Sequence, residues 1–316
     1  MKILANDGIS QSGIDDLTAA GFEVLTTTVA QEQLENFINS ENIVALLVRS
    51  ATTVRQDLID ACPNLKIIGR GGVGMDNIDV EYARKKGLSV INTPAASSES
   101  VAELVFAHLF SGVRFLYDSN RAMPLDGDSK FKALKKAYAK GTELRGKTLG
   151  VIGFGRIGQA TAKMALGLGM KVIAFDPFLE KTTLSLSFYD GQTIDFEIST
   201  VSKETVLKES DFISLHVPAQ KEFVIGKAEL ELMKNGAGLI NAARGGVVDE
   251  VALVSALNSN KLAFAGLDTF ENEPTPSVQL LMNPKISLTP HIGAATNQAQ
   301  DRIGSELASQ IISILK

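Results

Sequence analysis

The chain has 316 residues, enough for two domains of ordinary size, and its 45% hydrophobic and 21% charged content fits an α/β protein with a sizeable core. No apolar run approaches the roughly 18 residues that read as a membrane span, and a net charge of −5 argues against nucleic acid as the main partner. Cys62 is the sole cysteine, which excludes an intrachain disulfide or a cysteine metal cluster, and the N-terminus lacks the apolar region of a secretory signal, so a cytoplasmic setting and no metal are expected.

In chain order, "KILAND" predicts a strand, "SGIDDLTAAG" a helix closed by Gly21, and "FEVLT" a strand. A helix over residues 31–39 leads into the strand "NIVALLVRS". The helix of "VRQDLIDACP" stops at Pro63; then come the strand "LKIIGRGG", the helix "VEYARKKG" and the strand "LSVINTP". Continuous Val/Ile/Leu strands separated by helices indicate a parallel sheet covered on both faces. Gly13, Gly21 and Gly87 lie near helix ends, where positive φ is needed.

A long helical pattern starts near Ser97, with Ser100 and Glu103 spaced as a capping box ahead of "LVFAHLF", where His108 reads as packed or superficial. "KFKALKKAYAK", Lys130 to Lys140, reads as a solvated helix face. A second strand-helix series begins at "KTLGVIGFGRIG" and continues through the strands "KVIAFD", "FISLHVP", "GLINAA", "LAFAGLD" and "KISLTP". The expected fold class is therefore α/β, with two doubly wound parallel-sheet domains. "TLSLSFYDGQTIDFEIST" alternates apolar and polar residues around Asp190-Gly191, which predicts an inserted hairpin with both turn residues at φ > 0. A helical segment, "NQAQDRIGSELASQIISILK", closes the chain.

Gly153-x-Gly155-x-x-Gly158 stands between a predicted strand and a helix. Gly153 suits the tight turn, Gly155 the close approach of a pyrophosphate, and Gly158 close packing of helix on strand. Asp176 ends the following strand, where a carboxylate takes both hydroxyls of an adenosine ribose and repels a 2′-phosphate. NAD is the expected cofactor. Such a cofactor carries hydride, so the protein must place a substrate and manage a proton.

Three residues fit that task. Arg244, Glu273 and His291 each follow a predicted strand, so parallel strands bring them to one carboxyl edge, where open α/β sheets bind ligands. His291 can take a hydroxyl proton, since imidazole titrates near neutrality. Glu273 can fix its tautomer through the second ring nitrogen. Arg244 can grip a carboxylate through two parallel hydrogen bonds. Pro290 and Gly293 are expected to hold the histidine in place.

The segments "LLVRSAT", "GRGGVGMDNID", "INTP", "VAEL", "GTELRGKTLGVIGFGRIG", "NAARGGVVDE", "GLDTFENEP" and "PHIGAAT" run over nearly the whole length. Through them the chain resembles the D-isomer-specific 2-hydroxyacid dehydrogenase family, and within it the phosphoglycerate-oxidising branch. The resemblance implies that Arg244, Glu273 and His291 are the catalytic set. It implies cofactor contacts from Arg156, Ile157, Asp176, Pro218, Ala242, Asp268 and Gly293, beside the loop glycines. For the substrate it implies Arg49, Ser50, Arg70, Gly72 and Val73, with Lys135 and Lys136 as candidate phosphate contacts in a neighbouring subunit. A strand-end salt bridge is the structural alternative for Arg70. The family's architecture puts a substrate domain at 1–97 and 293–316 and an NAD domain at 98–292, in a homodimer or larger homo-oligomer. His216 is placed near the adenine end in a structural role. Val73 and Ala242 stand where many relatives carry threonine.

The implied reaction is oxidation of 3-phosphoglycerate to 3-phosphohydroxypyruvate, the first step of phosphorylated serine biosynthesis. The alternatives are glyoxylate/hydroxypyruvate reduction, oxidation of erythronate 4-phosphate, or an NAD-sensing scaffold like the C-terminal-binding corepressors. A formate-oxidising role is disfavoured by Glu273, which is glutamine in that branch.

Overall fold

The computed structural model describes all 316 residues. The chain forms two units, Met1–Ser100 with Ala294–Lys316, and Val101–Gly293.

In the first unit the elements run β1 (Lys2–Ala5), α1 (Gln11–Ala19), β2 (Glu23–Leu25), α2 (Leu34–Ser40), β3 (Ile43–Val48), α3 (Gln56–Ala61), β4 (Ile67–Arg70), α4 (Val80–Lys85) and β5 (Ser89–Asn92). The strands form one parallel sheet in the order β2-β1-β3-β4-β5. Alternation within the apolar runs divides the core in two. Ile3, Ala5, Ala45, Leu47 and Ile67 pack with Leu17, Ala308 and Ile311 on one face. Leu4, Leu46, Val48 and Ile68 pack with Ile38, Leu58 and Ala83 on the other. This double burial is why these strands are apolar in their interiors and carry polar residues only at their ends.

α5 (Ser98–Val113) carries the chain into the second unit. There α6 (Leu116–Asp126) and α7 (Phe131–Ala137) precede β6 (Thr148–Ile152), α8 (Arg156–Gly167) and β7 (Lys171–Phe175). β8 (Lys181–Ser187), β9 (Thr193–Ser199), α9 (Lys203–Glu209), β10 (Phe212–Leu215), α10 (Lys227–Leu232) and β11 (Ala237–Asn241) follow. α11 (Glu250–Asn258), β12 (Leu262–Leu267), α12 (Val278–Leu281) and β13 (Ile286–Leu288) complete the unit. A six-stranded parallel sheet has the order β13-β12-β11-β10-β6-β7. Both units are thus doubly wound α/β sheets. Finally α13 (Asn297–Leu315), capped by the Thr296 hydroxyl, packs on α1.

Three local expectations are corrected. Gly13 is not at a helix end: it lies inside α1, where an added Cβ would stand 2.9 Å from the backbone of Gly304 in α13. Its need is close helix approach; Gly21 and Gly87 do take positive φ, at +82° and +87°. Ser100 is no cap, because α5 starts before it and its hydroxyl meets that of Thr296 at 2.8 Å. The hairpin forms as β8 and β9, antiparallel, but only Gly191 of its turn has positive φ. Bonds from Gly191 N to Phe188 O and from Phe188 N to Gln192 O make a three-residue loop, a type I turn followed by a left-handed glycine. Leu184, 1% exposed, anchors this hairpin in the core, worth about 1.5–3 kcal/mol.

Candidate active site

The glycine loop joins β6 to α8. Gly153 has φ +89°, and a Cβ there would stand 2.4 Å from the carbonyl oxygen of His216, so this position is closed to other residues. At Gly158 a Cβ would stand 2.2 Å from the Gly153 oxygen, which ties the helix to the turn. Gly155 differs: it caps α8 with nothing within 4 Å of a built Cβ. No side chain caps this end, and the first turn carries Arg156 and no acid. An uncapped helix start with open space before it suits a pyrophosphate. Asp176 sits just beyond β7, its oxygens accepting from Phe154 N at 2.7 Å and Phe178 N at 2.9 Å. Each oxygen keeps a lone pair for a ribose hydroxyl. The chain's own groups therefore fit a dinucleotide.

Pro218, beyond β10, is exposed, and Ala242, beyond β11, is buried. His216 bonds Ser214 through Nε2 at 2.9 Å, while its buried Nδ1 has no partner. Burial pushes this imidazole down to about 3.

Arg244, Glu273 and His291 follow β11, β12 and β13, three neighbouring parallel strands, so all three stand at one carboxyl edge. Glu273 and His291 meet directly, Oε2 to Nδ1 at 2.9 Å. The other oxygen, Oε1, accepts from Phe270 N at 3.0 Å, fixing the carboxylate. An ionised carboxylate only accepts, so Nδ1 carries a proton, and in the neutral ring Nε2 presents a lone pair. A cavity of about 410 Å³ lies beside this pair, lined by Phe270, Pro274, Leu281, Leu288 and Pro290. Arg244 donates from Nη1 to Ala243 O at 2.7 Å, and Asn241 braces its carbonyl at 2.9 Å.

The restraint on His291 extends beyond the Pro290 and Gly293 of the sequence expectation. Gly293 takes no positive φ; His291 itself does, at +55°. For a residue with a Cβ this is costly and needs the surroundings to enforce it. Asp268, 1% exposed, supplies the restraint: Oδ1 accepts from Ile292 N at 2.8 Å and Oδ2 from Gly293 N at 2.9 Å. Thr289 adds its hydroxyl to Asp268 Oδ1 at 2.6 Å and its carbonyl to His291 N at 3.1 Å. Thr289 escaped the sequence reading. Its signal is the Thr-Pro-His order after a strand, meaningful only once Asp268 is known to face it.

In the first unit Arg49 and Ser50 follow β3, and Arg70 ends β4. Asp7 Oδ2 accepts from Arg49 N at 2.6 Å and Thr52 N at 3.1 Å. Gly72, at φ +143°, leaves room for the Arg70 guanidinium, since a Cβ would overlap its Nη1. Val73 is half-buried, its carbonyl accepting from Asn92. Lys135 and Lys136 lie in the last turn of α7.

Residues 106–293 match the D-isomer specific 2-hydroxyacid dehydrogenase, NAD binding domain. The chain is 43% identical over 298 residues to the hydroxypyruvate reductase of Thermotoga maritima, covering 93% of this chain and 91% of that protein. It is 39% identical over 320 residues to the D-3-phosphoglycerate dehydrogenase of Archaeoglobus fulgidus, covering 100% of this chain and 58% of that one. The chain thus spans little more than half the length of that second relative. Among solved structures, the TT0316 protein from Thermus thermophilus superposes with a TM-score of 0.85 at 31% identity, covering 100% of this chain and 97% of that one.

Proposed function

The chain belongs to the D-isomer specific 2-hydroxyacid dehydrogenase family, and on that premise we propose that it exchanges a hydride between NAD and carbon 2 of a D-2-hydroxy acid. The observation that carries this reading is the Glu273–His291 pair at 2.9 Å, on a histidine held left-handed at the carboxyl edge of the sheet. Bound NAD supplies the hydride acceptor. The protein's residues do the rest. His291 Nε2 takes the hydroxyl proton as the carbonyl forms, and returns it in reduction. Glu273 keeps Nδ1 protonated and lies beside the positive charge that the ring gains. Arg244 holds the acid's carboxylate and orients carbon 2. Asp176 takes the ribose hydroxyls and the start of α8 takes the pyrophosphate.

For the acid, the reading is 3-phosphoglycerate, in serine biosynthesis in the cytoplasm. Relatives called D-3-phosphoglycerate dehydrogenase support it, as do Arg49 and Arg70 at the ends of adjacent strands, which suit substrate anions. A second reading, reduction of hydroxypyruvate, is favoured by the Thermotoga relative, which matches nearly end to end. Rates of NAD reduction with 3-phosphoglycerate, and of NADH oxidation with phosphohydroxypyruvate, hydroxypyruvate and glyoxylate, separate the two. A preference for unphosphorylated acids rejects phosphoglycerate; no turnover with any acid rejects the enzyme and favours an NAD-binding scaffold.

His291→Ala is expected to lower kcat by about 10²–10⁴-fold while NADH still binds in a fluorescence titration. Near-normal turnover would remove His291 from the chemistry. A homodimer is also proposed, supported by the exposed apolar side chains Leu125 (80%) and Phe131 (57%) of α6 and α7. Light scattering on the eluting protein checks it.

A further inference from the structure

We infer that His108 is a positioning residue for the His291 turn, acting through the hydroxyl of Thr289 and the carboxylate of Asp268. The kinetic part of this inference rests on the reading of His291 as proton carrier; the structural part does not.

His108 lies in α5 and is 2% exposed. Both ring nitrogens bond to one face of the β13 segment: Nδ1 to Ser287 Oγ and Nε2 to Thr289 Oγ1, each at 2.9 Å. The proton order follows by elimination. Asp268 as a carboxylate can only accept, so the Thr289 hydroxyl spends its one proton on Oδ1 at 2.6 Å. Thr289 Oγ1 must then accept from His108, which places a proton on Nε2. Burial holds the imidazole below its ordinary range, hence neutral, so Nδ1 accepts from Ser287. The chain of bonds points one way, from Ser287 through His108 and Thr289 to Asp268, whose oxygens grip the amides of Ile292 and Gly293.

Space for this arrangement is built into the neighbouring strand. At Gly266 of β12 a Cβ would stand 2.6 Å from the His108 Cβ and 2.9 Å from its Cγ. Thr289 is the hinge of the coupling, because its carbonyl also receives His291 N at 3.1 Å. A Thr289 hydroxyl without its donor is free to rotate off Asp268, and the left-handed turn loses part of what enforces it.

The chain has three histidines, so imidazole ¹⁵N spectra of the full-length protein can be assigned by single substitutions. At about pH 8, above the ordinary imidazole range, His108 is expected to show a neutral Nε2–H tautomer. An Nδ1–H tautomer or an imidazolium overturns the inference. His108→Leu and the near-isosteric Thr289→Val are each expected to lower kcat by about 10–100-fold, with the NADH dissociation constant within about threefold. His108→Gln, which keeps a donor for Thr289, should recover most of the loss. The His108→Leu/Thr289→Val pair should be no worse than either alone, because both break one chain of bonds. Wild-type kcat in His108→Leu, or equal losses of kcat and NADH binding without rescue by His108→Gln, defeats the inference. Should His108→Leu fail to fold, Thr289→Val and His108→Gln carry the same comparison. Should the wild type turn over none of the acids above, the functional reading fails alone; the inference then stands or falls on whether His108→Gln preserves, and Thr289→Val shifts, the His291 resonances.

Discussion

The two units clamp their strand-end loops with the same device. After β1, Asp7 accepts two loop amides and the Thr52 hydroxyl at 2.6 Å, and Thr52 in turn accepts from Asn6 Nδ2 at 2.8 Å. After β12, Asp268 accepts two loop amides and the Thr289 hydroxyl, also at 2.6 Å, and Thr289 accepts from His108. The difference lies in what is clamped and how deeply. Asp7 is half-exposed and holds an ordinary loop that carries Arg49; Asp268 is buried and holds a histidine at φ +55°. A carboxylate at a strand end thus serves as scaffold in one sheet and as enforcer of strain in the other.

Removing each clamp separates the two roles. Asp268→Ala is expected to lower kcat by about 100-fold, because His291, the proposed proton carrier, loses its fixed position. In Asp7→Ala the expected result is a raised KM for the acid with kcat kept within about tenfold, and a stability loss of about 1–3 kcal/mol from unpaired amides in urea unfolding. Equal kinetic losses in both variants would show that the two clamps do one job.

Acid sharpens the contrast between the units, since His108 and His216 both belong to the second. Their folded pKa values are depressed, so below the ordinary value of about 6.5 the unfolded chain binds more protons than the native one. Their stabilisation is therefore whole above that pH and is lost as pH falls, for His216 down to about 3. Unfolding followed by a probe in each unit should show the second weakening first between about pH 6 and 4.

The smallest effect concerns Glu250, which is buried and whose pKa is raised by burial and by the charges of Glu271 and Glu273. A raised carboxyl binds more protons native than unfolded, so its ionised form costs stability as pH rises. Glu250→Gln should therefore raise Tm at pH 7 by about 2–4 °C, an advantage that vanishes below the ordinary carboxylate range.

The sheets were legible because burial on both faces forces unbroken apolar runs, and the alternate residues of "KILA" and "IVALLV" do face two separate cores. The edge shared by Arg244, Glu273 and His291 was legible for the same reason, since parallel strands put all their ends on one side. What escaped depends on partners distant in sequence. Ser100 mimics a cap, yet its partner is Thr296; Gly13 resembles a terminator, yet its reason is Gly304. Asp190 suits a two-residue turn, but the pairing of Ser187 with Thr193 leaves room for a longer loop. His108 looked like filler in an apolar helix because nothing local reveals two hydroxyls waiting on β13.

The contact of α13 with α1 has a consequence for how the protein is made. Ile3, Ala5 and Ile67 share their core with Ala308 and Ile311. Synthesis delivers one half of that core before the whole middle unit and the other half after it. The middle unit, contiguous in the chain, can assemble while the ribosome is still working; the flanking unit must wait with one face of its sheet bare until α13 emerges.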